Sequence, residues 1–235
     1  MSLLQGIESR RLYRQIADQL ALLIRRGNFS IGERLPAERE LAEQLGVSRP
    51  SVREALIALE VEGIVEVRGG SGVYVTARER SVAAARNDAP APGPFDLIHA
   101  RWLIESECAL LAASHASPQQ LQRLNAALED MRAWPSHSPQ SIAADQRFHL
   151  TIAEASGNAA LLLVVEQLWA LRTGALYSQL ESHFVGEQIW QQAIQEHTQL
   201  LTAITQRDPA AAQHAMRMHM KNAEVRFASN WKPKE

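Results

Sequence analysis

A chain of 235 residues, 46% hydrophobic and 21% charged, holds enough apolar material for one large or two ordinary domains and is not a disordered polymer. No run of 18 apolar residues and no basic-then-apolar leader occurs, so neither a membrane span nor secretion is expected. The single cysteine, Cys108, excludes an internal disulfide and fits a reducing cytoplasm, while a net charge of −2 argues, on the average, against a nucleic-acid partner.

That average hides two unlike halves. The first 80 residues carry 12 Arg, no Lys and 11 acids, whereas all eight His fall from His99 onward. Between them, 83–94 (AAARNDAPAPGP) is rich in Ala and Pro and lacks apolar periodicity. The sequence therefore predicts a first domain over 1–78, a linker over 79–94 and a second domain over 95–232.

In the first domain Leu12, Ile16, Leu20 and Leu23 recur at helical spacing, and Gly27 offers a left-handed stop. Pro36 is expected to open a second helix with Leu41, Ala42 and Leu45 facing inward, ended by Gly46. A third starts at Ser48 as N-cap with Pro50 in the first turn, and buries Val52, Ala55, Leu56 and Leu59. Two short strands, 64–67 and 73–76, flank Arg68-Gly69-Gly70-Ser71-Gly72, which completes a winged helix-turn-helix. A recognition helix presents its N-terminal residues to base edges in the major groove, and here those are Ser48, Arg49, Ser51 and Arg53, with Arg39 on the helix before. A purely helical oligomerisation module would leave the arginine cluster and the Arg-Gly-Gly tip without a purpose.

Leu35-Pro36-Ala37-Glu38-Arg39-Glu40-Leu41-Ala42, followed by Gly46-Val47-Ser48-Arg49-Pro50-Ser51-Val52-Arg53-Glu54-Ala55-Leu56 and the Gly69-Gly70-Ser71-Gly72-Val73 wing, resembles the GntR family of bacterial winged-helix regulators over residues 10–76. The resemblance implies that Arg39, Ser48, Arg49, Ser51, Arg53, Gly69 and Gly70 touch operator DNA. Arg68 is added as a phosphate contact on account of its charge.

From Phe95 onward apolar residues recur only at helical spacing, which predicts six helices near 96–116, 118–133, 139–156, 159–179, 185–207 and 209–229: an all-α bundle. Asp145 and His149 stand one turn apart, His197 falls between Ile194 and Leu201 on an apolar face, and His219 follows Ala212 and Ala215. Three imidazoles and a carboxylate from three helices suit a divalent transition metal: zinc first, with nickel or manganese compatible with the same ligands. Spacing alone leaves open that each is a hydrogen-bonded core residue.

This part resembles the FCD ligand-binding domain of the FadR subfamily, through Asp145-Gln146-Arg147-Phe148-His149, Glu196-His197, Met218-His219 and Arg101 with Glu105. That likeness implies a metal at Asp145, His149, His197 and His219, and a small carboxylate effector reaching it beside Arg101 and Glu105. Arg11-Leu12-Tyr13, Leu59-Glu60-Val61-Glu62-Gly63 and Gly93-Pro94-Phe95 are further similar to repressors of hexuronate catabolism within that subfamily. Arg172 and Asn222 are added as effector contacts, each one turn beyond a core residue.

The resulting expectation is a cytoplasmic homodimer, mainly α, that binds a palindromic operator and answers to a sugar acid. Regulators of other small hydroxy- or keto-acids, a metal-dependent enzyme fused to a DNA-binding domain, and a sensor of the metal itself are the alternatives.

Overall fold

The computed structural model describes residues 11–77, 92–136, 138–172, 174–184 and 186–228, which fall into two compact units parting at Gly93 and Pro94. Positions 79–91 of the expected linker and 229–232 of the expected second domain lie outside the described residues.

The first unit runs α1 (Leu12–Arg25), α2 (Glu38–Leu45), α3 (Arg49–Val61), β1 (Val65–Arg68), β2 (Gly72–Val75). Helix α3 is central, packing on α1, α2 and β1 and burying Val52, Ala55, Leu56 and Leu59. Its start follows from three adjacent residues: the Ser48 hydroxyl accepts from the Ser51 amide, and Pro50 fills a position whose N–H would be orphaned. Gly46 ends α2 at φ 65°, a left-handed corner that glycine reaches without strain. The strands pair antiparallel from Val65 opposite Val75 to Arg68 opposite Gly72, and Arg34 forms an isolated bridge to Tyr74.

Three local expectations shift. On α1 the buried stripe is Ile16, Leu20 and Ile24 with Ala17 and Ala21, while Leu12 is 48% exposed. Pro36 does not open α2. Ala37, held extended, is the N-cap, and its carbonyl accepts the first ladder bond from Leu41 at 2.9 Å. Both strands begin one residue away from the expected positions.

The second unit comprises α4 (Pro94–His115), α5 (Pro118–Ala133), α6 (Pro139–Ala155), α7 (Ala159–Arg172), α8 (Ala175–Phe184), α9 (Glu187–Thr205) and α10 (Pro209–Ala228). Starts are written by Ser-Pro and Asp-Pro steps; Ser117 and Gln120 form a reciprocal capping box at α5. Helix α4 runs against α6, α7, α9 and α10, around a core that includes Leu124, Leu128, Met131, Phe148, Ile152, Trp169, Leu200 and Met216. Arg207 turns the chain from α9 toward α10 at φ 58°, unusual for a side-chain-bearing residue. Its guanidinium caps the end of α4 through the carbonyls of Ala113 and Ala116. The single helix expected over 159–179 is two, α7 and α8, with Gly174 at the break. Glycine's entropic cost in a helix interior favours interruption there.

The wing offers a direct test. Gly72 sits at φ 123°, and a Cβ there would lie 2.4 Å from Arg34 Nε. Gly72→Ala is expected to lower the stability of the first unit by about 1–2 kcal/mol in urea denaturation, mainly through backbone strain. An unchanged midpoint would refute this.

Candidate DNA-reading surface and metal centre

In the first unit a single carboxylate organises the cationic side chains. Glu38, at the start of α2, accepts from Arg49 Nε at 2.9 Å and from Arg53 Nε at 2.7 Å. Arg49 remains about half exposed, whereas Arg53 is 1% exposed. Arg53 was expected at the DNA face; its guanidinium is buried against Glu38, tying α3 to α2, at the wall of the concavity between α2, α3 and the wing. Desolvation lowers its pKa, with Glu38 opposing that fall. Ser48 and Ser51 share a hydroxyl contact of 2.9 Å at the exposed N-terminus of α3, and Arg39 projects from α2 beside Glu43. On the wing, Arg68 lies over the Tyr74 ring at 4.5 Å and pairs with Glu66, and Gly70 takes φ 70° at the tip beside Gly69. A concavity of about 250 Å³ between α2, α3 and the wing is lined by Arg34, Arg39, Arg49 and Arg53. Arg34 was not foreseen, although its place two residues before Pro36 in a glycine-containing turn is visible in the sequence.

In the second unit the three singled-out histidines meet. Their ligand atoms lie within 4.8 Å of one another, and His149 Nε2 is 3.1 Å from His197 Nε2. Every Nδ1 faces an acceptor: His149 donates to Glu105 at 2.5 Å, His197 to the Ala193 carbonyl at 2.7 Å, and His219 to Glu196 at 2.7 Å. Nitrogens that face a carboxylate or carbonyl carry the proton, so each Nδ1 is protonated and the Nε2 atoms are the ones an ion would meet. At His149 burial is outweighed by Glu105 and Asp145, which raise its pKa, so an ion entering there displaces a proton. Asp145 closes the cluster. Its Oδ1 lies 3.1 Å from His197 Nε2 and 3.5 Å from His149 Nε2, buried and without a hydrogen-bond donor, while Oδ2 accepts from Arg172 at 2.7 Å. Three buried imidazoles whose ligand atoms converge beside an unsatisfied carboxylate oxygen, each ring steered from behind, fit a divalent cation.

The charges agree. Burial works to raise the carboxyls, but Arg101 and His149 outweigh it and hold Glu105 at about 2. His219 and Arg226 likewise outweigh burial and hold Glu196 at about 2. Burial is also opposed at Asp145, where the Arg172 guanidinium and the neighbouring imidazoles of His149 and His197 keep the carboxyl well below its usual range. Burial and the neighbouring His197 push His219 down to about 3, so its ring is neutral.

Beside the cluster lies a cavity of about 60 Å³ lined by Arg101, Asp145, Arg172, Tyr177, Glu181, His197 and His219 among others. Two expected effector contacts, Arg101 and Arg172, reach it, and both stack on Trp169, at 4.3 and 4.4 Å. The other two do not line it: Glu105 supports His149 from behind, and Asn222 donates to Glu196 at 2.8 Å. Sequence reasoning missed Glu196 as the support of His219, though it precedes His197. Helical geometry turns neighbouring residues to different faces, and Glu196 thereby meets α10.

Comparison with known proteins matches the family model "Bacterial regulatory proteins, gntR family" to residues 12–75 and the FCD domain model to residues 96–222. The chain is 38% identical over 218 residues to the Uxu operon regulator of Haemophilus influenzae, covering 92% of this chain and 82% of that one. It is 38% identical over 221 residues to the Exu regulon transcriptional regulator of Escherichia coli, covering 93% and 85%. A crystal structure of a GntR-family transcriptional regulator from Pseudomonas syringae aligns with TM-score 0.50 at 25% identity, over 92% of this chain and 84% of that one.

Because Arg53 is buried with its guanidinium on Glu38, removing that carboxylate takes a charged partner from a desolvated cation. Glu38→Ala is expected to destabilise the first unit by about 3–5 kcal/mol, read by chemical denaturation. A loss below 1 kcal/mol would show that Arg53 is held by other means.

Proposed function

We infer the role of this chain from its membership: it belongs to the GntR family of bacterial regulatory proteins, with an FCD domain following the winged helix-turn-helix. It is a DNA-binding transcriptional regulator and not an enzyme. No single helix among the described residues is long and apolar enough to cross a membrane, and we assign the protein to the cytoplasm.

We propose that Arg39, Ser48, Arg49, Ser51, Arg68, Gly69 and Gly70 contact operator DNA, Arg49 and the two serines at base edges and phosphates, the others at the backbone. Arg53 is kept with them as a proposed contact from the wall of the same concavity, and through Glu38 it also holds α3 on α2. We further propose that Asp145, His149, His197 and His219 hold a divalent transition metal, zinc first, with nickel or manganese able to use the same donors. The observation that carries this is the buried, donorless Asp145 Oδ1 facing the inward nitrogens. A bound ion would supply a Lewis-acidic point for an oxygen of the effector.

The effector we propose is a hexuronate or related sugar acid, as the likeness to regulators of the Uxu and Exu systems suggests. The charges favour an anion. Arg101, Arg172 and Arg226 face Glu105, Asp145, Glu181 and Glu196 around the cavity and its supports, one negative charge in excess before the imidazoles are counted, and imidazoles that ligate an ion are neutral. A divalent ion reverses that excess to one positive charge, and one carboxylate brings it to zero. Arg101 and Arg172 orient that carboxylate. Occupancy weakens operator affinity, making the protein a repressor, and reciprocity requires the operator to weaken effector binding equally, on the order of 1–3 kcal/mol.

Operator binding followed by fluorescence anisotropy tests this. Arg49→Ala is expected to cost about 1–3 kcal/mol with loss of base preference. D-glucuronate, D-galacturonate or D-fructuronate should release operator from the zinc-loaded chain and lose that effect after chelation. A response to L-lactate or a keto-acid alone would move the effector to that class, and a response to chelator alone would mark a metal sensor.

We also propose a homodimer, so that two α3 helices read a palindrome. Support comes from α7, where only Val165 and Trp169 are buried and Leu163 and Leu171 are 61% and 42% exposed. Such an apolar face fits a second copy of the chain. Leu163→Glu is expected to raise the dimer dissociation constant by about tenfold or more in sedimentation equilibrium; an unchanged constant would remove α7 from the interface.

A further inference from the structure

Arg172 does not wait with an open hand. Its NH1 donates to Asp145 at 2.7 Å, and its NH2 to Glu181, on α8, at 2.5 Å. The guanidinium is also stacked on Trp169 at 4.4 Å and lies 5.3 Å from the Tyr177 ring centroid, so its directions of approach are limited. Arg101 is similarly engaged by Glu105, but Glu105 is needed behind His149, whereas Glu181 supports no imidazole.

The cavity is too small for the ligand class. At about 60 Å³ it falls well below the roughly 300–1,000 Å³ of small-molecule pockets, so part of its lining moves when a sugar acid enters. Helices α4, α6, α9 and α10 carry the ligand set, its supports or the core. Helix α8 has ten residues, packs only on α4 and α10 among the principal helix contacts, and brings Tyr177 and Glu181 into the cavity wall. It is the wall with the least packing to lose.

Resting on the effector reading above, we propose that Glu181 is an internal stand-in for the effector's carboxylate: it occupies the carboxylate position on Arg172, and the incoming acid replaces it there and frees α8. The exchange conserves the ion pair, one carboxylate leaving the guanidinium as another arrives, so Arg172 is never left buried and unpaired. Glu181 thereby sets affinity, because the incoming acid must compete with it for the same guanidinium, and the observed affinity is lowered by the free energy of that internal pairing.

The test compares the full-length, zinc-loaded chain with Glu181→Gln. Calorimetric titration with D-glucuronate is expected to show about tenfold tighter binding to the variant. Glu181→Asp, which keeps the charge but draws it back by one methylene, should fall between them. Hydrogen exchange at α8 amides should quicken in the unaltered chain when D-glucuronate is added, and be quick in Glu181→Gln without it. Equal or weaker binding by Glu181→Gln, or α8 amides equally protected with and without the acid, overturns the proposal while leaving the effector reading intact. If neither chain binds D-glucuronate, D-galacturonate or L-lactate, the effector reading fails and takes this inference with it.

Discussion

Three outward hydrogen bonds decide what the helical domain can do. Glu105, the Ala193 carbonyl and Glu196 each take an Nδ1 proton, and that fixes the rings of His149, His197 and His219 with their Nε2 atoms turned inward. Without those acceptors the rings would be free to hydrogen-bond one another or turn away. With them, two imidazole nitrogens stand 3.1 Å apart beside a buried carboxylate oxygen that has no donor, the arrangement on which the proposed cation site rests. The supports come from α4 and α9, so the centre depends on the packing of the bundle core as much as on the ligating residues.

The same device recurs in the DNA-reading domain with opposite purpose. There one buried carboxylate, Glu38, gathers two guanidiniums, leaving Arg49 toward solvent and Arg53 underneath. A net charge near zero for that domain is therefore compatible with a cationic surface. Much of its acid is spent internally, as at Glu38, while Arg39, Arg49 and Arg68 stay outward.

How much was legible depended on the range of the interaction. Ser48 with Pro50, and Gly46, act over one turn, and the sequence names them without help. Asp145 and His149 are likewise one turn apart, and their inward aim follows from helical period; that His197 and His219 join them needed the fold. The burial of Arg53 was not legible because its partner is 15 residues away and across a turn, where no local pattern reaches. The break before α8 was hidden by a run of apolar residues that is good helix sequence on both sides of Gly174. Asn222 shares a helical face with His219, but that face also meets Glu196, and the amide went to the nearer charge.

Trp169 joins these parts. Its indole is buried with two guanidiniums stacked against it and the His149 ring 5.3 Å away. An aromatic ring so enclosed has its excited state governed by those cations and by the protonation of that imidazole. Trp169 thus stands as an intrinsic optical probe beside the centre, read against the four other tryptophans of the chain and needing no attached dye.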